Sequence, residues 1–212
     1  MLEKFKVFQD AVLAGILIGI GGTIFLSVDS RYLGAFLFAI GLFVIVTRQF
    51  NLFTGKVGYF KPSQPKFLLD LLLIWLGNLL GTSLVGYGLR LTRIVNIGEK
   101  AKNLCEVKLE DNLLSIFILS IFCGLLMFIA ADGFKNLSHS IAKYLSVFLS
   151  VAVFILCGFE HCVANMFYFS IANAWSWKAL LYLLVMTGGN ALGGLLIPAV
   201  QHQFGKRRIP IS

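Results

Sequence analysis

Charge is what this chain has least of. Only 13% of its 212 residues are Asp, Glu, Lys or Arg, and the acidic share is the smaller, 10 residues against 18 basic ones. That leaves nothing to coat a soluble domain, and every connection between its apolar runs is short except 89–112. Catalytic patterns are missing as well. His139, His161 and His202 lie too far apart for an HExxH metal pair, and no GxSxG nucleophile occurs, so no enzyme is expected. The four cysteines, Cys105, Cys123, Cys157 and Cys162, form no CxxC pair and three fall inside apolar runs. They read as small apolar fillers, with no metal, disulfide or cofactor implied. No separate cleavable signal is expected, because the first apolar run follows a short leader, 1–10, and is as long as the other spans.

What fills the space is hydrocarbon. Apolar residues make up 58% of the chain, 20 of them Phe, and the mean hydropathy is +0.86. This composition predicts an integral membrane protein. Six apolar runs are visible, at 11–28, 33–60, 67–88, 113–131, 141–169 and 179–200. A helix crosses a bilayer in about 20 residues. The second and fifth runs are longer and each carries a polar patch, which predicts broken helices. One transmembrane domain over 1–212 follows, with halves about 1–100 and 101–212. An even number of spans puts both termini on one side. Lys4, Lys6, Lys56, Lys61, Lys66, Lys135, Lys143, Lys206, Arg207 and Arg208 on that side outnumber Arg31, Arg90, Arg93, Lys100, Lys102, Lys108 and Lys178 opposite. Cytoplasmic termini in a multi-pass protein of the cell (inner) membrane are the expectation. The net charge of +8 suits lipid headgroups and calls for no nucleic acid.

The halves repeat. Gly77-Asn78-Leu79-Leu80-Gly81 in the third run recurs as Gly189-Asn190-Ala191-Leu192-Gly193 in the sixth, each after a long interrupted run. The unit is three spans, and three is odd, so the second copy must lie inverted relative to the first. The unwound segments, around 48–55 and 158–165, would then meet near the midplane. A helix that restarts there presents unpaired N–H groups and partial positive charge, a setting that favours a small anion. Unwound backbone at such depth is tolerated only where it lines a cavity or is buried in protein. The segment around His161 stands out most, because Glu160, His161 and Asn165 sit inside an otherwise apolar run, and polar groups at that depth are costly and usually functional.

These residues also carry a resemblance. Gly158-Phe-Glu-His-Cys-Val-Ala-Asn-Met-Phe167 resembles the signature of the formate/nitrite transporter family, and Asn51-Leu-Phe-Thr-Gly55 resembles its second motif. Gly189-Asn-Ala-Leu-Gly-Gly194 and Ala14-Gly-Ile-Leu-Ile-Gly-Ile-Gly21 are similar to two further family patterns. The resemblance implies an all-α membrane fold of six transmembrane helices, an aquaporin-like inverted 3+3 repeat with helices 2 and 5 broken. It also implies a homopentamer with one pore per protomer. By position, His161 matches the central histidine and Thr54 the threonine of the first broken helix. Glu160 and Asn165 match the residues ordering the second loop, Asn190 the pore-side asparagine, and Lys108 the lysine of the outer vestibule. Phe38 and Phe154 fall at the outer constriction, and Leu42, Leu52 and Phe53 at the inner slit. Asn78 reads instead as a helix cross-link. Three positions depart from the family pattern: Asn51 where an acid is common, Gly124 where asparagine is frequent, and Lys56 directly after the loop. With so short a leader, an N-terminal gating helix of the kind some relatives carry is expected to be missing or reduced.

The expected function is passage of a small monovalent anion, formate or nitrite, by a passive or proton-coupled route. A bare charge is blocked by a narrow apolar constriction unless it is neutralised. An imidazole between two constrictions could hold the anion or hand it a proton. A hydrosulfide channel of the same family is one alternative. An aquaporin-like neutral-solute channel is another, although its Asn-Pro-Ala boxes are absent. Expected partners are the anion, membrane lipid and further copies of the chain.

Overall fold

The computed structural model describes residues 2–94 and 96–204, with side chains as far as 202; Lys206, Arg207 and Arg208 of the tail lie outside the described residues. Every element in that range is helical. Five helices are long and apolar enough to cross a membrane: α1 (Leu2–Ser27), α2 (Arg31–Arg48), α4 (Lys66–Leu89), α6 (Leu113–Asn136) and α9 (Trp177–Phe204). Between them stand the four-residue α3 (Phe53–Lys56), α5 (Ile97–Glu110), α7 (Ser140–Leu156) and the ten-residue α8 (Cys162–Ile171). Leader residues 2–10 are simply the first turns of α1, tied down by an ion pair from Lys4 to Asp70 at the start of α4.

Helix α1 packs chiefly on α4, and α6 on α9. Glycine makes both crossings possible. A Cβ at Gly15 would collide with the backbone of Asn78, and one at Gly81 with the carbonyl of Val12. In the second half a Cβ at Gly124 would strike the backbone of Asn190, and one at Gly193 the carbonyl of Ile121. Gly124 is therefore the second-half counterpart of Gly15, and an asparagine there would not fit this crossing. Close backbone approach through small residues is how helices associate in lipid, where no hydrophobic force drives them together. Between the two pairs lie α2 and α7, which pack on each other through rings such as Phe36 and Phe148, 5.1 Å apart.

The interruptions have local causes. α2 ends on Gln49, held left-handed at φ 61°, and Phe50 N–H then reaches back to Ile45 O at 2.9 Å. α7 ends on the left-handed Gly158, φ 70°, with Phe159 N–H on Phe154 O at 2.9 Å and Gly158 N–H on Ile155 O at 3.2 Å. This two-bond closure is the Schellman arrangement that stops a helix. A few extended residues follow each stop, and the chain re-enters a helix at Phe53 or Cys162.

Candidate functional site

Each restart is clamped by one asparagine from the last long helix of its own half. Asn78 Oδ1 accepts from Phe53 N–H at 2.9 Å, while its Nδ2 donates to Asn51 O (2.9 Å) and Ala11 O (2.8 Å). Asn190 repeats every contact: Oδ1 accepts from Cys162 N–H at 2.8 Å, and Nδ2 donates to Glu160 O and Ser120 O, both at 2.8 Å. Even the weaker backbone bonds match, Asn51 N–H to Asp10 O and Glu160 N–H to Leu119 O, each 3.4 Å. Both amides are fully buried. Sequence reasoning separated the two residues, one as a cross-link and one as a pore group. The contacts give them a single geometry, in which the whole side-chain amide is engaged with backbone.

The clamps bring the two loops together. Thr54 Oγ1 lies 2.8 Å from His161 Nε2, across 107 residues of sequence, and both side chains are buried. His161 is also the N-cap of α8, its Nδ1 accepting from Ala164 N–H at 3.0 Å. A nitrogen that accepts from a backbone N–H holds a lone pair, so the ring proton of the neutral imidazole sits on Nε2 and is donated to Thr54. That leaves the threonine hydroxyl hydrogen available to another acceptor. Adding a second proton, at Nδ1, would set N–H against N–H and cost the cap.

Around the imidazole stand the remaining candidates. The ring of Phe154 stacks on that of His161, 5.6 Å between centroids at 28°, and meets Phe38 edge-on at 5.8 Å and 90°. Leu42, Leu52 and Phe53 are buried, and Leu42 and Leu52 line a cavity of about 590 Å³ that opens on the face of the molecule where α1 begins. Gln49, Lys56, Tyr59, Lys135 and Lys143 line the same cavity. Lys56 thus stands half-buried at the mouth of the slit rather than out in solvent, within electrostatic reach of Lys135 and Asp10.

On the other side Glu160 is 4% exposed and fully paired. Lys108 Nζ donates to both its carboxylate oxygens at 2.7 Å, and Asn165 Nδ2 donates to Oε2 at 2.8 Å and to His161 O at 3.0 Å. Asn165 Oδ1 is buried without a partner among the described residues. Lys108 is thereby an ion-pair partner of the loop, and the helix that delivers it, α5, was not anticipated within the long 89–112 connection. The signal existed: Ile97, Ala101 and Cys105, spaced by four, are the buried positions of α5. No group of His, Cys, Asp and Glu able to hold a metal occurs among the described residues.

Comparison with known proteins bears on this arrangement. The profile of the family described as Formate/nitrite transporter matches residues 1–204. Formate channel FocB of Escherichia coli is 27% identical over 193 residues, 81% of this chain and 68% of that protein. The Formate-nitrite transporter of Plasmodium knowlesi is 24% identical over 237 residues, covering 92% of this chain and 75% of that one. Among solved structures, a pentameric formate channel with formate bound superposes with a TM-score of 0.83 at 25% identity, covering 95% of this chain and 96% of that chain.

Proposed function

The chain belongs to the formate/nitrite transporter family, and from that premise we propose that formate-like monovalent anions cross it by way of the Thr54–His161 pair. Transport of small anions through a channel goes with the membership. The observation that carries the finer reading is the 2.8 Å contact between Thr54 Oγ1 and His161 Nε2, with Phe154 stacked on the imidazole and Leu52 and Phe53 immediately before Thr54 in the chain. An anion past either constriction has lost its water and needs donors in return. The threonine hydroxyl, whose oxygen accepts the imidazole Nε2–H and whose hydrogen is free, is a donor of that kind, and the N-terminal turn of α8 adds partial positive charge. Asn165 Oδ1, an acceptor, suits the O–H of a weak acid once protonated. Glu160, Lys108 and Asn190 act by holding the loop rather than by touching the anion. Phe38 and Phe154, with the inner leucines, exclude water and hydrated cations.

Assembly as a pentamer, the state named for the formate-bound relative, is proposed for this chain as well. The exposed apolar residues along α4, Leu68, Leu69, Leu72, Leu76, Leu80 and Leu84, offer a face for lipid or for neighbouring copies. A cell-membrane location with both termini cytoplasmic completes the reading. No chemical conversion of the anion is part of it.

Reconstitution into liposomes tests the proposal. Formate and nitrite should equilibrate across protein-containing membranes far faster than across empty ones, while water and glycerol permeation stays at the lipid level. Water permeation without anion flux would favour the neutral-solute alternative.

A further inference from the structure

The carbonyl end of α7 lies where an anion would enter. Three of its last four carbonyls are met by the helix stop itself: Val153 O by Cys157 N–H, Phe154 O by Phe159 N–H and Ile155 O by Gly158 N–H. Leu156 O is met by Arg31, whose Nη2 donates to it at 3.0 Å and lies 3.4 Å from Ile155 O. A helix C-terminus carries roughly half a negative charge. Here that charge sits two residues from Phe154, at the mouth of the Phe38–Phe154 constriction, where it would repel the anion the channel is built to admit.

Arg31 is mounted to cancel it. It opens α2, and Phe38 follows it at i+7, two turns along the same helix face. Two other cations on this side are matched to carboxylates: Lys100 to Asp29 at 3.4 Å and Lys108 to Glu160 at 2.7 Å. Arg31 has its hydrogen bonds on backbone carbonyls, so its positive charge is set against the dipole of α7 rather than against an acid. At the opposite mouth the pattern has a counterpart, since Lys143 in the first turn of α7 lines the same cavity as Gln49 and Phe50, where α2 ends.

We propose that Arg31 is a specificity-determining residue, which neutralises the partial negative charge at the carbonyl terminus of α7 and thereby admits anions to the Phe38–Phe154 constriction. The inference rests on the anion-transport reading above. Its test uses the full chain in liposomes, with Arg31→Gln and Arg31→Lys beside the wild type. Formate is supplied on the face that carries Arg31, and half-saturating concentration, maximal flux and the formate-to-potassium reversal potential are read separately. Arg31→Gln should raise the half-saturating formate concentration about three- to tenfold and move the reversal potential towards potassium, while Arg31→Lys retains most of the selectivity. An Arg31→Gln protein with unchanged half-saturation and reversal potential overturns the inference, whether or not its melting temperature falls, because a purely structural bond would alter stability alone. A wild type that carries no formate at all would instead sink the underlying reading.

Discussion

Thr54 Oγ1 and His161 Nε2 meet at 2.8 Å, each delivered by a different half of the chain and each at the first turn of a restarted helix. Replacing the hydroxyl by a methyl of the same shape, Thr54→Val, strands a buried imidazole N–H at a cost of about 1–3 kcal/mol. The protein should still fold, with a lowered melting temperature, and anion flux should fall at least tenfold. Flux at the wild-type level in Thr54→Val would show that the hydroxyl is not a donor to the permeant.

Glu160 and Lys108 are 5% and 14% exposed as side chains, so their ion pair is a buried one. Removing one partner leaves an uncompensated charge, and Lys108→Met should destabilise by about 3–5 kcal/mol. Adding Glu160→Gln to it should recover much of that loss, since the neutral amide needs no ammonium. Thermal melts of the two single variants and the double check this; a strictly additive double variant would mean that the pair is not coupled.

Asn78 and Asn190 make the same three backbone contacts, and their alanine variants should behave alike. Each strands buried backbone groups, with a loss of roughly 2–5 kcal/mol, and each should release one loop. Comparing unfolding of Asn78→Ala with Asn190→Ala decides the matter. A variant at Asn190 that abolishes flux without loss of stability would favour the pore-side role expected for it from the sequence.

Gln49 occupies a left-handed conformation that costs a residue with a Cβ about 1–2 kcal/mol, and its counterpart in the second half is Gly158. Gln49→Gly should therefore raise the melting temperature or leave it level despite the added chain entropy, whereas Gly158→Ala should lower it, even though a methyl there meets open space. A thermal melt of both variants checks this; a clear fall for Gln49→Gly like that of Gly158→Ala would contradict the helix-stop account.

Much of this was legible in the sequence because lipid makes the apolar runs long and the polar exceptions rare. Glu160, His161 and Asn165 stand out in such a background, and the repeated Gly-Asn-x-x-Gly segment marks Asn78 and Asn190 as equivalent positions, though not as clamps. What stayed hidden depends on contacts between distant residues. Arg31 reaches Leu156 across 125 positions, a pairing that no local pattern announces. The helix around Lys108 was concealed by its own polarity, since Ile97, Ala101 and Cys105 are its only buried positions. Gly124 looked like a missing functional side chain, but the crossing of α6 with α9 requires it to be small.

The imidazole itself is the most direct test. Formate uptake into liposomes should be measured between about pH 5 and pH 8 for the wild type and for His161→Phe, which keeps an aromatic ring against Phe154 and removes both ring nitrogens. The account predicts that the substitution cuts uptake sharply and erases the pH dependence of whatever remains. Uptake with the rate and pH profile of the wild type would contradict it.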